Sequence, residues 1–588
     1  MAPEAVSDTV IVPVPWWQLP LRWLGVRFAQ REQQVLLFLS IMIGALTGLA
    51  VVALILLTER LGMRLYPVGS PVWRRIVTPV IGSLTMGYVL VRYFADARGS
   101  GVTQTKVALY IRDGVITLRT VLGKFFCTAI TLGSGIPLGP EGPAVHVGSG
   151  IASVLGRRLG LRTENVKALI PVGAAAAIAA AFNTPLAAVV YAMEEIVGDF
   201  NTPVLGSIVL ASATAWMVLR VLLGNNPLFQ VPQYELVHGG EFAIYAVLGL
   251  IGGAFSGIFT KVMVEVRARF GKLPANTRWI QPVSGGLLVG LLGWWVPQVL
   301  GVGYSYVGDA LNGRMALRIM AILVLLKFVT IITSYASGNA GGLFAPSLFL
   351  GAMVGGVVGS VAHHLWPAYT AEPGAYALVG MGALFAGIMR APMTSVLMIF
   401  ETTHDYAVIV PLMIANLISY LISSQMQPLS IGQAFAVQDG LHLPGDEIRR
   451  QFSKRSVSQV MQPATEIFEA DLSVQEAFDH AQQSKLNAWP VVDNAGIEGI
   501  VRRVTLQRAI ASGEGGKRLK DLVGIGTFPH VHADHPLDVA MERMGVARLD
   551  LLPVVSRANV RSLVGIVQLP DILNSFGVGA SDAENPLA

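Results

Sequence analysis

The sequence GPEGPAVHVGSGIASVLG at residues 139–156 has a counterpart 203 positions later, GLFAPSLFLGAMVGGVVG at residues 342–359. A second set of anchors follows in the same order at an offset of 207, where Gly173, Pro185 and Glu194 match Gly380, Pro392 and Glu401. Two sets of anchors in one order predict a duplicated half of roughly 200 residues. The alternative is a chance match between small residues in a chain that contains 63 glycines.

The composition divides the chain into two parts. Hydrophobic residues make up 53% of the 588 residues and charged residues only 13%, about half of the ~25% of a typical soluble domain. Of the 79 charged residues (42 Lys and Arg, 37 Asp and Glu), 33 lie in residues 441–588 and 46 in residues 1–440. This distribution excludes an ordinary cytosolic globule, and it predicts a membrane-embedded body followed by a soluble tail.

Residues 35–57 form an uncharged apolar run of 23 residues, which is long enough to cross about 30 Å of hydrocarbon as a helix. Later runs, such as 166–195 and 376–400, are interrupted by Gly or Pro, and others are too short to cross alone. They predict broken and re-entrant helices, which a bilayer tolerates only where protein buries them or where they line a watery path. Interrupted helices at matching positions of two repeats indicate a binding site between the repeats.

After about residue 425 the pattern changes to short strands and amphipathic helices. The repeated features are strands at 489–493 with 499–501 and at 551–555 with 565–567, helices at 474–484 and 537–546, and openings at 457–461 and 519–523. They predict an α/β repeat of about 60 residues. The predicted domains are a cytoplasmic N-terminal segment at 1–34, a transmembrane domain at 35–425, a linker at 426–455, two modules at about 456–511 and 518–576, and a flexible tail at 577–588.

Three glycine-rich turns, at 99–104, 139–143 and 342–346, each precede an apolar helix. Helix N-termini carry unsatisfied N–H groups and partial positive charge, so several that converge form an anion site without Lys or Arg. Proline in a first turn gives up a donor that would lack a helical partner. A partly dehydrated halide suits such a site, because it can be held strongly enough to be selected and weakly enough to leave.

These motifs, in this order and spacing, resemble the ClC family of chloride channels and chloride/proton antiporters over about 35–575, and the repeated tail resembles a pair of CBS modules. The family's GSGIP loop reads GSGVT here, GREGP reads GPEGP, and GIFAP reads GLFAP. The resemblance implies an α-helical polytopic membrane protein with two inverted-repeat halves and makes Glu141 the gating glutamate. It implies these anion-binding residues: Ser100, Gly139, Glu141, Gly142, Leu343 and Phe344.

The resemblance also implies two proton-transfer carboxylates, Glu141 and Glu195, the latter within the family's AFNxPLA…EE segment beside Glu194. The expected function is exchange of chloride for protons in a homodimer with one pathway per subunit, in contact with the lipid bilayer. No enzymatic activity, nucleic-acid partner or metal is expected. Ordinary alternatives stay open: a helix-start carboxylate for Glu141, a solvated or ion-paired helix end for Glu195, and a helix cap for Ser100.

Two positions depart from the family's pattern. Gly432, within SIGQA at 430–434, stands where an inner-gate tyrosine is expected, and Pro140 replaces the usual basic residue. A hydroxyl donor to the central anion would then be missing, so a passive chloride channel remains the alternative to an exchanger. Tyr420 and Tyr406 are the nearest tyrosines in the sequence, and nothing in the sequence assigns either to the pathway.

The tail retains little of the family's nucleotide signature, G-h-x-S/T-x-x-D. Its copies at 499–505 and 565–571 keep only Asp571, a ribose contact. A structural or dimer-stabilising role is therefore favoured over adenine-nucleotide binding, and a membrane-tethered nucleotide sensor is the third hypothesis. His530, His532 and His535 form an HxHxxH run, but without neighbouring cysteines or clustered carboxylates a solvated loop is favoured over a metal site.

The orientation follows from charge. Arg22, Arg27 and Arg31 precede the first span, so the positive-inside rule predicts a cytoplasmic N-terminus. A soluble tail without disulfides is also expected in the cytoplasm, which requires an even number of crossings, and a bacterial inner membrane is the predicted location. The single cysteine, Cys127, lies in an apolar stretch and is predicted to serve packing.

Overall fold

The computed structural model describes residues 32–575 except for 68, 201–202, 225–228, 230, 233, 235, 442, 444–454, 485 and 524–527. The chain divides into two compact units, Met1–Leu443 and Pro444–Ala588. Most of the predicted N-terminal segment 1–34, with its three arginines, lies outside the described residues, as do much of the predicted linker and the tail at 577–588.

The first unit is helical. Its helices are α1 Glu32–Leu65, α2 Arg74–Tyr93, α3 Val102–Tyr110, α4 Leu118–Gly133, α5 Glu141–Arg158, α6 Thr163–Phe182, α7 Pro185–Tyr191, α8 Leu205–Leu223, α9 Glu241–Gly271, α10 Pro282–Trp295, α11 Tyr304–Leu311, α12 Leu317–Ala336, α13 Phe344–Leu365, α14 Pro373–Met389, α15 Pro392–Thr403, α16 Ile409–Met426 and α17 Ile431–Gln438. A π-helical turn, Ala192–Val197, extends α7. Cys127 on α4 is buried and free, as its predicted packing role requires.

Long and short helices alternate in this unit. Within the described part of the chain, eight helices are long and apolar enough to cross a membrane by length and composition. By contrast, α3, α7, α11, α15 and α17 contain between 7 and 12 residues. At 1.5 Å per residue they extend only roughly 10–18 Å, too little to cross alone. The prediction of broken helices is confirmed.

The two predicted runs 166–195 and 376–400 are each broken into two helices at equivalent positions. Asn183 follows α6 with φ 61° and Arg390 follows α14 with φ 64°, and both have the left-handed conformation that ends a helix. Two residues later, Pro185 and Pro392 begin α7 and α15. Proline is well suited to a first helical turn. The same local sequence pattern therefore ends one helix and begins the next in both halves.

The helix pairs α5–α6 and α13–α14 pack through the anchors on which the predicted duplication rests. A Cβ built on Gly148 would lie 2.3 Å from the Gly173 carbonyl oxygen, and one built on Gly351 would lie 2.4 Å from the Gly380 carbonyl oxygen. Small residues permit such close helix packing in a membrane protein. The same contacts in both halves confirm the duplication.

One predicted boundary is wrong, because α17 lies within residues 426–455, which the sequence analysis assigned to a linker. Gln438 Nε2 donates to the Val264 carbonyl at 2.7 Å, and Arg267 pairs with Asp439 at 2.7 Å, so the end of α17 is fixed to α9. A capping box begins this helix: the Ser430 hydroxyl accepts from the Gln433 amide, and the Gln433 side chain accepts from the Ser430 amide. This capping signal was present in the sequence.

The second unit is α/β. Its elements are β1 Phe468–Glu469, α18 Val474–Gln483, β2 Ala488–Asp493, β3 Gly496–Arg502, α19 Arg503–Ala511, α20 Leu519–Leu522, α21 Leu537–Ala547, β4 Leu551–Val555, β5 Leu563–Gln568 and α22 Leu569–Ser575. Strand β1 is parallel to β2, whereas β2–β3 and β4–β5 are antiparallel. Bulges at Val491/Val492 and Val554/Val555 occupy matching positions. The predicted α/β repeat is confirmed.

The two modules of this unit exchange their first residues. Val457, in the opening of the first copy, is buried in a cluster with Val531 and Leu537 of the second copy. Leu519, in the opening of the second copy, is buried with Phe468 and Val474 of the first copy. Each module therefore completes the hydrophobic core of the other.

Candidate functional site

Three helix starts meet inside the first unit. The turns before α5 and α13 are joined by two main-chain hydrogen bonds, from Gly139 N to Gly342 O at 2.9 Å and from Gly342 N to Gly139 O at 2.7 Å. The turn before α3 lies beside them, because a Cβ built on Gly142 would be 2.5 Å from the Ser100 carbonyl oxygen. The three glycine-rich turns singled out in the sequence are thus brought together.

The close approach of two main chains explains the glycine at position 101. A Cβ there would lie 2.1 Å from the Gly142 carbonyl oxygen, and its φ of 101° is one that other residues rarely adopt. A larger residue at this position would push α3 away from α5. The convergence of the helix starts therefore depends on the sequence of the turn itself.

Two buried lysines fix equivalent loops in the two halves. Lys124 Nζ donates to the Gly99 carbonyl at 2.7 Å, and Lys327 Nζ donates to the Gly301 carbonyl at 2.6 Å. Both lysines are almost fully buried. The sequence analysis missed them, although a lysine at the repeat offset inside each apolar helix was a signal. They hold the loops that lead into α3 and α11.

Glu141, the first residue of α5, is fully buried. Its Oε2 accepts a hydrogen bond from the Ala345 amide at 3.3 Å, in the first turn of α13, and its Oε1 accepts one from the Tyr304 hydroxyl on α11. Its own main-chain N–H also donates to the carboxylate. The negative group therefore lies at the N-termini of α5 and α13, where the helix dipoles favour it most.

Two of these partners were not predicted. The amide that contacts the carboxylate belongs to Ala345, one residue after the predicted Phe344, and nothing in the sequence around Tyr304 marked its hydroxyl. A Cβ on Gly139 would lie 2.2 Å from Glu141 Oε2. A side chain at position 139 would therefore displace the Glu141 carboxylate, which explains why a glycine occupies this position.

Phe344 forms an apolar wall beside this group. Its ring centroid lies 4.8 Å from that of Phe182, 4.3 Å from Phe385 and 5.6 Å from Tyr191. Leu343, the residue before α13, is also buried. These side chains exclude water from one side of the α13 N-terminus and so strengthen its attraction for a negative charge.

Glu194 and its repeat counterpart Glu401 cap each other's helices. Glu194 accepts hydrogen bonds from the amides of Met393 and Thr394 at the start of α15. Glu401 accepts from the amides of Leu186 and Ala187 at the start of α7. Reciprocal contacts of this kind are those of a two-fold relation between halves. Both carboxylates are occupied in joining the repeats.

Glu195 is directed elsewhere. Its Oε1 forms an ion pair with Lys106 Nζ at 2.7 Å, and both side chains are largely buried, at 12% and 13% exposure. The ion-paired alternative for Glu195 is therefore what the structure contains, and Lys106 was missed by the sequence analysis. Tyr191 lies within electrostatic range of both Glu195 and Glu141. Both predicted proton-transfer carboxylates therefore interact electrostatically with the same buried tyrosine.

A carboxylate on two helix starts can exchange with a small anion. Both groups are negative, and both would use the same N–H donors, so they are alternative partners for one site. A proton on the carboxylate would remove its charge and weaken its hold. This chemistry needs no metal, and the described residues contain no group of three His, Cys, Asp or Glu that could hold one.

Comparison with known proteins identifies the family of the chain. A family profile described as voltage gated chloride channel, Voltage_CLC, matches residues 81–424, more than half of the chain. The chain belongs to the ClC family. A CBS domain profile matches residues 457–512 of the tail. As a ClC protein it is an integral, multi-pass membrane protein, consistent with its apolar helices.

Relatives cover most of the chain. The H(+)/Cl(−) exchange transporter ClcA of Vibrio campbellii is 32% identical over 410 residues, which are 67% of this chain and 87% of that protein. A solved structure of a slow cyanobacterial Cl−/H+ antiporter has a TM-score of 0.62 at 26% identity and covers 69% of this chain and 97% of that one. A eukaryotic CLC transporter, at 20% identity and a TM-score of 0.61, shares the fold over 92% of this chain and 98% of its own.

The departure seen in the sequence, Gly432, lies beside the turn before α3. The Ser100 hydroxyl lies 3.5 Å from the Thr103 hydroxyl, which donates to the Gly432 carbonyl at 3.4 Å. Gly432 is therefore next to the serine loop, as the resemblance implied. Tyr420 lies near Arg390 and Tyr406 packs on Phe400. These contacts do not bring either tyrosine to Ser100.

In the tail, Asp571 lies in α22 with its Oδ2 buried and without a hydrogen-bond partner among the described residues. Burial raises the pKa of this carboxyl above its usual value. The His530, His532 and His535 rings follow one another at centroid distances of 5.4 and 4.9 Å, and His532 Nδ1 contacts the Val555 carbonyl at 2.9 Å. The three residues lie in a loop, as predicted, and their rings are partly buried rather than fully solvated.

Proposed function

We propose that this ClC protein exchanges chloride for protons across the membrane and that Glu141 gates the pathway. The observation that carries the proposal is the position of the Glu141 carboxylate, held by the Ala345 amide and the Tyr304 hydroxyl at the starts of α5 and α13. A chloride ion would take its place on the same donors. Ser100, Gly139, Gly142, Leu343 and Phe344 complete the proposed anion site.

Gating and proton transfer are then one event. While it is ionised, Glu141 competes with chloride for the helix N-termini. When it is protonated it loses the charge that holds it there, leaves the donors to chloride and carries its proton. The two ions cannot bind the same donors together, so each movement of chloride requires a change in the state of the carboxylate.

A second carboxylate supplies protons from the cytoplasmic side. Glu195 is proposed for this role because an ionisable group in a membrane protein interior is costly and usually functional, and because Glu194 is occupied as a helix cap. Lys106 orients Glu195 through their 2.7 Å ion pair. Tyr191, within electrostatic range of both carboxylates, is positioned to support a water-assisted route between them.

The assembly and orientation are part of the proposal. We expect a homodimer with one pathway per subunit, surrounded by lipid in a bacterial inner membrane, with both termini in the cytoplasm. Chemical cross-linking in native membranes tests the dimer, and labelling of a cysteine introduced in the tail, in a Cys127→Ala background, tests the orientation. A monomer or an externally labelled tail would contradict these expectations.

The exchanger is tested with the purified protein in liposomes. An imposed proton gradient is expected to drive chloride uptake against its own gradient, and chloride flow is expected to move protons in return. The family profile is named for chloride channels, and a passive channel is the second candidate. Chloride flux that follows only the chloride gradient and the membrane potential would favour that channel and would contradict exchange.

For the tail we propose a structural, dimer-stabilising role. The exchange of Val457 and Leu519 between its modules supports this, because neither module buries its core alone. Of the nucleotide signature only Asp571 is kept. Saturable adenine-nucleotide binding to the full-length protein, lost on Asp571→Ala, would instead favour a sensor.

A further inference from the structure

Tyr335, near the end of α12, interacts with the serine loop. It belongs to a different helix from Gly432, the position where the family pattern has a tyrosine. It is buried, with 6% exposure, and its hydroxyl interacts with both the hydroxyl and the main chain of Ser100. Its position lies 235 residues after Ser100 in the sequence, so only the fold brings the two together.

The phenol ring of Tyr335 is held at its other side by α17. It stacks on Phe435 with centroids 5.0 Å apart and an interplanar angle of 19°. The Arg267 guanidinium lies 5.0 Å from the Phe435 ring and pairs with Asp439 at the end of α17. A rigid two-torsion side chain fixed by a ring stack presents its hydroxyl at a defined point with little loss of entropy.

The helix that holds Tyr335 also carries the glycine that departs from the family pattern. Gly432 and Phe435 are one turn apart on α17. A Cβ on Gly432 would lie 3.5 Å from Thr103 Oγ1 and 3.8 Å from Glu195 Oε1, both ordinary contact distances. Position 432 thus faces the serine loop but contributes no hydroxyl, while Phe435 supports a tyrosine whose hydroxyl reaches that loop.

We propose that the Tyr335 hydroxyl is the second hydroxyl donor of the anion site, beside Ser100, and replaces the donor that Gly432 lacks. A phenol accepts one hydrogen bond and donates another, so Tyr335 can accept from the Ser100 main-chain N–H while its own hydrogen and that of the Ser100 hydroxyl are directed to the anion. Hydrogen bonds to a charged partner are about twice as strong as neutral ones. This inference rests on the proposed chloride pathway and assigns one of its ligands.

The first test is chloride titration of the detergent-purified, full-length protein by calorimetry. Tyr335→Phe keeps the ring on Phe435 and removes only the hydroxyl, so the chloride affinity is expected to fall about tenfold. Tyr406→Phe and Tyr420→Phe are the matched controls and are expected to bind as the unmodified protein does. An affinity unchanged in Tyr335→Phe would overturn the proposal.

A second measurement separates a donor from a residue that only positions Ser100. A ring-fluorinated tyrosine at position 335 is a stronger donor and a weaker acceptor, and at about pH 6 it stays protonated. If Tyr335 donates to the anion, the chloride affinity rises severalfold. If it only accepts from Ser100, the affinity falls, and the proposal is overturned.

These binding measurements do not depend on proton coupling. If the unmodified protein binds chloride but fails to exchange it for protons, the proposed function fails while the titrations still decide the role of Tyr335. If exchange is present and Tyr335→Phe binds chloride normally, the assignment of Tyr335 fails and the proposed function stands.

Discussion

The two halves of the membrane unit share their framework and differ in two carboxylates. Lysines at 124 and 327 fix equivalent loops, and glutamates at 194 and 401 cap equivalent helices. At the same offsets, Glu141 of the first half corresponds to Phe344 of the second, and Glu195 corresponds to Thr402. What folding requires occurs in both halves, whereas both groups proposed for proton transfer occur in one.

This difference has a physical basis. A helix start favours negative charge in either half, but a second carboxylate in place of Phe344 would put two like charges on adjacent helix starts, which is strongly unfavourable. One half therefore supplies the movable charge, and the other supplies Phe344, which forms an apolar wall with Phe182 and Phe385. Substitutions at matched positions can separate the two roles.

The largest effect is expected for Glu141→Gln. The amide cannot ionise, so it neither carries a proton nor competes as an anion, and proton transport should fall by about 100-fold or more while chloride still passes. Paired proton and chloride flux measurements in liposomes test this. Glu401→Gln changes a carboxylate that has a counterpart in the other half, and this variant should keep its proton coupling. An equal loss of proton transport in both variants would contradict the distinction between shared framework carboxylates and proton-transfer carboxylates.

The next largest effect distinguishes two adjacent residues. Glu195→Gln should reduce proton transport about tenfold or more and leave chloride flux, because the inner proton donor is lost. Glu194→Gln should keep the coupling ratio and lower the unfolding temperature, because a charge-assisted cap on α15 becomes a neutral one. The readouts are the coupling ratio in liposomes and thermal unfolding in detergent. A reversed pattern would show that Glu194 is the proton-transfer residue.

A smaller effect is expected for Tyr304→Phe. The hydroxyl donates to the Glu141 carboxylate, so without it the ionised carboxylate is held less strongly and chloride competes more successfully. The apparent chloride affinity should rise by about tenfold, near the lower limit for a hydrogen bond to a charged group. Tyr306→Phe is the nearby control in flux titrations. A decrease in affinity would indicate that Tyr304 serves the anion rather than the gate.

The smallest effect is expected in the tail. Asp571 has a raised pKa in the folded protein, so ionisation of its carboxyl opposes folding. The folded state is favoured fully below the unfolded pKa of about 3.9. This advantage is lost as the pH rises through the folded pKa. Asp571→Asn should therefore raise the unfolding midpoint at neutral pH by about 2 °C or less, with no gain below about pH 4. Scanning calorimetry of the full-length protein, with exposed Asp479→Asn as control, tests the sign.

Local signals predicted much of this molecule. The glycine-rich turns, the repeat offsets and the interruptions of the runs 166–195 and 376–400 depend on neighbouring residues, so they could be predicted from the sequence. Contacts between distant residues were not predictable in this way. Tyr304 and Glu141 are 163 positions apart, and Lys106 and Glu195 are 89 apart. Nothing near Tyr335 indicated Ser100. The linker error has a different origin, because the capping box of α17 was visible and was not used.

The central claim is that the Glu141 carboxylate and chloride are alternative occupants of the N-termini of α5 and α13. Chloride titration of the unmodified protein and of Glu141→Gln, in detergent at neutral pH, tests it most directly. The claim predicts that the variant binds chloride more tightly or binds an additional ion, because the competing charge has been removed. Identical affinity and stoichiometry in the two proteins would contradict it.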